Sequence, residues 1–426
     1  MNDFSIKCEP VADAPLPVHP SEPPKEPAFV LPPETPTQEA VDGIRFDFNN
    51  GLRVRFPEKG EYRCLFKDLD SGCILYCMDV KPGCTVESVK KFFVRFSVEI
   101  YRKDDLKEPI FRHDLDLSGK EVLVQLPVGA LGDTIAWFSF VARFQRRHGC
   151  KLFCSMSNEI AELFRGQYPD ISFITKEEAA KLKPYATYNT GLFFGGNTDN
   201  QPFDFRQTGL HRTAGLILGI EDMSDIPPRV DLSAERKIKE KYVCIATMAS
   251  SQCKFWNNPS GWRETILYLK SKGYRVLCID KMPEFGSDFT WNHIPWGCED
   301  FTGSLPLQER IDLIRNADMF IGLSSGLSWL AWCCRVPVIL ISGFTDPVNE
   351  FETPYRVQNA TVCHGCWNDM RCEFNHFDYL WCPRKKDAKD KFECTKAITS
   401  KMVIKKIDRI MERSAHGRDH SESAGQ

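Results

Sequence analysis

The stretch Tyr242-Val243-Cys244-Ile245-Ala246, followed by Trp262, Ile266 and Leu269 and then by Tyr274-Arg275-Val276-Leu277-Cys278-Ile279, decides the fold. An unbroken apolar run of this length reads as a strand buried on both faces. Trp262, Ile266 and Leu269 recur at i, i+4 and i+7, the spacing of one helix face, and Gly273 ends that helix. The unit is strand–helix–strand. The alternation continues with a helix over 307–316, a strand over 319–321, a helix over 326–334 and a strand over 336–341. An earlier set has strands over 122–126, 152–154 and 171–174, separated by helices over 133–146 and 159–165. Such alternation predicts α/β architecture with parallel sheets. Two doubly wound halves, joined around residues 220–240, enclose a cleft, and ligands of open α/β sheets sit at the carboxyl ends of the strands.

The flanking segments differ. Residues 1–41 are rich in Pro, Glu and Ala and read as a disordered tail. Residues 42–120 carry short alternating runs such as Leu52-Arg53-Val54-Arg55-Phe56, and read as a β-rich module. Its Cys64, Cys73, Cys77 and Cys84 read as core packing, with a second metal site as the alternative. The expected divisions are a first Rossmann-like domain at 121–235, a second at 236–361, a cysteine finger at 362–398, and, at 399–426, a C-terminal helix (402–413) followed by a polar tail.

The chain has 426 residues, 42% hydrophobic and 27% charged, with a formal net charge of −3. Those proportions suit a globular protein and supply no basic excess for nucleic acid. No basic-then-apolar leader opens the sequence. No apolar run reaches the roughly 18 to 20 residues of a membrane helix, so the expectation is a cytoplasmic protein without membrane insertion. The 18 cysteines are then thiols or metal ligands.

Four of them, Cys363, Cys366, Cys382 and Cys394, read C-x2-C-x15-C-x11-C. That spacing points to a thiolate metal site clamping a loop without a core of its own; chance clustering is the alternative. Four thiolates suit zinc or iron equally, and a closed site has no open position for substrate. Cys372 lies outside the expected cage.

Three strand ends offer chemistry. The first runs into Ala130-Leu131-Gly132-Asp133-Thr134, where Asp133 is placed either to accept a proton in the cleft or to cap a helix. The second ends at Thr247 with Lys254 seven residues on, a cation for a diphosphate or a solvated loop lysine. The third ends in Gly322-Leu323-Ser324-Ser325-Gly326-Leu327, either a phosphate cradle at a helix start or an ordinary serine cap. Neither GxxxxGK[ST] nor GxGxxG occurs, which weakens kinase and dehydrogenase readings.

Together with the β module and the finger, these three segments resemble the bacterial autotransporter O-heptosyltransferase family over residues 42–413. The resemblance implies a GT-B fold and inverting transfer of heptose from ADP-heptose to serines of an autotransporter protein acceptor. Lipopolysaccharide-core transfer, or a non-catalytic nucleotide-binding scaffold, are the alternatives. It implies Asp133 as catalytic base and Lys254 at the phosphates. Donor contacts would come from Ala130, Leu131, Gly132, Thr134, Thr247, Asp280, Ser324, Ser325, Gly326 and Leu327. It further implies one structural iron (Fe3+) per chain on Cys363, Cys366, Cys382 and Cys394, and a large homo-oligomer, a dodecamer, built partly through the β module. Ser324 departs from the aspartate that lipopolysaccharide heptosyltransferases often carry there.

Overall fold

A computed structural model describes residues 28–422 except 128, 288, 386 and 388. Residues 1–27 of the Pro-rich segment and 423–426 of the polar terminus lie outside it. The second Rossmann-like unit is a five-stranded parallel sheet in the order Glu299–Asp300, Arg275–Cys278, Tyr242–Ile245, Met319–Leu323, Val338–Ile341. Tyr242–Ile245 is buried along its whole length, as a strand covered on both faces must be. Helices Gly261–Ser271, Leu307–Arg315 and Gly326–Cys333 occupy the crossovers. Cys244 and Cys278 are core residues, as their apolar surroundings predict.

The first unit also has a parallel sheet, ordered Ile171–Ile174, Lys151–Ser155, Glu121–Gln125, Ala186–Asn189. It does not stop there. Strand Arg45–Asn49 joins its edge in parallel, Phe48 opposite Ala186, and Arg53–Arg55 and Thr85–Glu87 follow antiparallel. Half of the expected β module is therefore an extension of the Rossmann-like sheet. The other half is a separate antiparallel sheet ordered Ile74–Val80, Tyr62–Asp68, Phe96–Arg102, Phe111–Asp114. Of its cysteines, Cys64 is buried, whereas Cys73 and Cys77 are exposed, so core packing holds for the first and fails for those two.

The Pro-rich segment is not a free tail where it is described. Gln38–Glu39 pairs with Arg45–Asn49, and Val30 exchanges two bonds with the Gln125 side chain, at 2.9 and 3.0 Å. Composition argues against a core but not against docking: proline carbonyls remain acceptors, and Pro33 O takes Arg53 Nη1 at 2.9 Å. Beneath this strap the fully buried Asp47 holds Arg53 through Nε and Nη2, at 2.9 and 2.7 Å, and accepts Thr37 N at 3.0 Å. The C-terminal helix, Ser400–Glu422, also runs past the predicted stop at 413, since a polar sequence without proline can continue a helix. Tyr268 bonds Asp408 and Glu264 bonds Ser400, returning this helix to the second unit. No helix among the described residues is long and apolar enough to cross a membrane.

Arg53→Ala strips a fully buried carboxylate of its cation and should lower stability by about 3–5 kcal/mol in urea unfolding. A loss under about 1 kcal/mol would show that Asp47 reaches water and that the strap is not anchored there.

Candidate active site

The two sheets meet at helix starts. Helix Leu131–His148 follows the strand Glu121–Gln125, and helix Gly326–Cys333 follows Met319–Leu323; their first turns touch at two glycines. A Cβ on Gly326 would lie 3.1 Å from Gly132 N, and one on Gly132 would lie 2.9 Å from Trp329 Cδ1. Larger residues would force the helices apart. Neither start is capped by a side chain: Ala130 has none to offer, and the Ser325 hydroxyl makes no cap bond. The serine-cap alternative therefore fails. Two positive helix ends with unclaimed amides face one cleft, the arrangement that favours an anion.

Asp133 is the third residue of its helix, half-buried, and does not cap it. Burial raises its pKa, and the positive charge of Lys254 pulls it back. A carboxylate held above its ordinary range beside a cation suits a general base. Lys254 ends a 3-10 turn, Gln252–Lys254; its Nζ donates to Ser250 Oγ at 3.2 Å and lies 5.7 Å from the Phe344 ring centroid. It is not a free loop lysine.

The cleft has a volume of about 740 Å³ and is lined by Ala130, Gly132, Asp133, Lys254, Ser324, Ser325 and Gly326. A second cavity of about 460 Å³ adjoins it through Ser325 and Gly326 and is lined by Leu131, Leu327, Asp280 and Arg310. Two expected contacts lie elsewhere. Thr134 is 1% exposed and bonds Ala130 O, and Thr247 is 3% exposed with its hydroxyl 3.0 Å from Asp280. Both sit behind the wall and line neither cavity. The Asp280 carboxylate is occupied as well, accepting Thr247 N at 2.7 Å and Met248 N at 3.2 Å. It braces the loop at the strand end.

The finger forms one wall of the same cleft, through Trp367, Phe374, His376, Phe377 and Tyr379. Sequence reading missed these residues; the available signal was the finger's position directly after the second sheet. The Tyr379 carbonyl accepts Gln252 N at 3.0 Å and Ser251 Oγ at 3.1 Å, fastening the lysine turn to the finger. Cys366, Trp381 and Phe392 share a core with Cys253 and Phe344. Burial, then the fields of Cys363, Cys366, Cys382 and Cys253, pushes the Cys394 thiol up to about 12, so the four finger cysteines lie within one another's reach electrostatically. Cys372 adds to the field at Cys366. Among the described residues, no group of three or more His, Cys, Asp or Glu side chains is gathered as a metal site.

Comparison with known proteins matches this geometry to a family. The profile of the glycosyltransferase TibC N-terminal domain matches residues 41–104, and that of glycosyltransferase family 9 (heptosyltransferase) matches 221–375. The chain is 52% identical over 382 residues to the autotransporter heptosyltransferase TibC of Escherichia coli O78:H11, covering 90% of this chain and 93% of that protein. It is 38% identical over 389 residues to the inactive autotransporter heptosyltransferase BimC of Burkholderia thailandensis, covering 90% and 89%. The crystal structure of dodecameric, iron-containing TibC with ADP-D-beta-D-heptose superposes with a TM-score of 0.87 at 51% identity, covering 90% of this chain and all of that one. The chain is a GT-B glycosyltransferase and belongs to the autotransporter heptosyltransferase family.

Proposed function

We propose that this protein transfers heptose from ADP-heptose to serine hydroxyls of an autotransporter passenger, with inversion at the anomeric carbon. The observation that carries the reading is the meeting of two uncapped helix starts with a carboxylate and a lysine in one cleft. The helix start at Ser325, Gly326 and Leu327, with Lys254, takes the charge that develops on the departing ADP. Asp133 takes the proton from the attacking serine. One displacement with one base needs no covalent intermediate. The 460 Å³ cavity beside the phosphate cradle, with Asp280 and Arg310 at its wall, is the place for the nucleoside.

Cys363, Cys366, Cys382 and Cys394 are the residues that would hold one iron per chain, with zinc as the alternative. Four sulfurs are a donor set whose chemistry suits either metal, although among the described residues they are not gathered into a group that could hold one. The metal would supply a clamp and no chemistry at the reacting carbon. The assembly is a large homo-oligomer, a dodecamer as in TibC. None of the described cysteines is joined in a disulfide, which suits the cytoplasm.

Mass measurement of a passenger fragment incubated with enzyme and ADP-heptose should show added heptose on serine-bearing peptides; transfer only to lipid-core sugar would overturn the acceptor assignment. Asp133→Asn should bind ADP-heptose and lose about 10²- to 10⁴-fold in kcat. Because burial raises the folded-state pKa of Asp133, its ionisation costs stability as pH rises through that pKa. Asp133→Asn should therefore melt higher than wild type at neutral pH and match it in acid. In wild type, kcat/KM should rise with pH as Asp133 ionises, and Lys254→Ala should move that limb to higher pH; a limb that stays put would remove the lysine from the base's surroundings. Elemental analysis should find about one iron per chain. Cys382→Ser should lose it along with thermal stability, and a metal-free, fully stable wild type would refute the clamp.

A further inference from the structure

Behind the wall of the cleft lies a buried ion pair that the transfer chemistry above does not use. Glu350, 1% exposed, follows the 3-10 turn Pro347–Asn349, and its Oε2 accepts Arg356 Nη2 at 2.6 Å. Arg356 Nη1 is buried with no partner among the described residues, so Glu350 is the group that answers this guanidinium. Such a pair adds little stability over an apolar one of similar volume. Its other oxygen is the informative one. Oε1 accepts the Ser324 hydroxyl at 2.5 Å and Asn349 Nδ2 at 3.1 Å, while Asn349 Oδ1 accepts Trp367 Nε1 at 2.9 Å. Ser324 and Asn349 both line the cleft that holds Asp133.

The geometry points to Glu350 as a positioning residue that selects the donor sugar through its hydroxyls, an inference that rests on the transferase reading. A carboxylate can only accept, so the Ser324 proton is committed to the protein interior. The oxygen then shows the cleft lone pairs, ready to accept from a sugar hydroxyl. Asn349, its carbonyl committed to Trp367 and one N–H to Glu350, has its second N–H left to donate. Both groups hang on one oxygen and are therefore close together. An acceptor beside a donor suits two hydroxyls on neighbouring carbons, one giving and one taking a hydrogen bond. With the nucleoside in the neighbouring cavity, which neither Ser324 nor Asn349 lines, the hydroxyls that reach this corner are those of the transferred sugar. The finger enters through Trp367, which sets the Asn349 amide.

Glu350→Gln keeps the shape and reverses the polarity. The amide would turn its carbonyl to Arg356 and its NH2 to Ser324, pushing the serine proton into the cleft. Calorimetry with ADP and ADP-heptose tests this. Affinity for ADP-heptose should fall ~10- to 100-fold in Glu350→Gln, while affinity for ADP stays within about twofold. Ser324→Ala should also weaken ADP-heptose selectively, and the double variant should be no worse than Glu350→Gln, because the two residues act as one unit. A merely structural Glu350 would weaken ADP and ADP-heptose together, or multiply with Ser324→Ala, and either result overturns the inference. If the wild type transfers heptose but its preference for ADP-heptose over ADP survives Glu350→Gln, this inference fails and the transferase reading stands. If no heptose reaches any acceptor, the transferase reading fails, and the hydroxyl subsite is judged by ADP-sugar binding alone.

Discussion

The close approach of Gly132 and Gly326 is the constraint on which the site depends. Two helices from different sheets begin within van der Waals contact of each other, which backbones manage only where no Cβ intervenes. That contact aims both positive ends and their uncapped amides into one cleft, and it sets Asp133, one residue past the first glycine, opposite Lys254 and the Ser325 loop. A capped helix start would have turned those amides inward. Leaving them open costs local stability, which an anion bound there would offset.

The finger belongs to this arrangement rather than standing beside it. It shares an aromatic core with Phe344 and Cys253, clamps the turn before Lys254 through the Tyr379 carbonyl, and orients Asn349 through Trp367. Loss of the finger would therefore free the lysine and one wall of the cleft together. The strap at the other end does comparable work for the first sheet. It is held by bonds from Gln125, Arg53 and Asp47, polar groups that need partners once buried.

Much of the fold was legible because parallel sheets bury strands on both faces and so write them as continuous apolar runs. Tyr242–Ile245, Met319–Leu323 and Val338–Ile341 are of this kind. The hairpin Glu284–Ser287 with Thr290–His293 was not legible, since neither strand is apolar and none of its strand residues is buried. The strap was misread for a related reason: composition reports whether a segment can build a core, not whether a neighbouring surface offers its carbonyls a partner. Asp133, Lys254 and the Ser324–Leu327 stretch were legible as cavity-lining positions because they follow strand ends. Thr134 and Thr247 share that position in sequence, yet their hydroxyls turn to the backbone and to Asp280.

Two doubly wound units, the cleft between them and the strand ends that line it were readable from the sequence alone. They were so because hydrophobic period and turn residues are local properties of the chain. The tertiary structure alone decided that the β module continues the first sheet and that the finger walls the cleft. It alone showed that a carboxylate at Glu350, 26 residues beyond Ser324, commits that serine's proton. Those outcomes depend on contacts between distant segments, and no spacing along one segment records which distant group its polar atoms will meet.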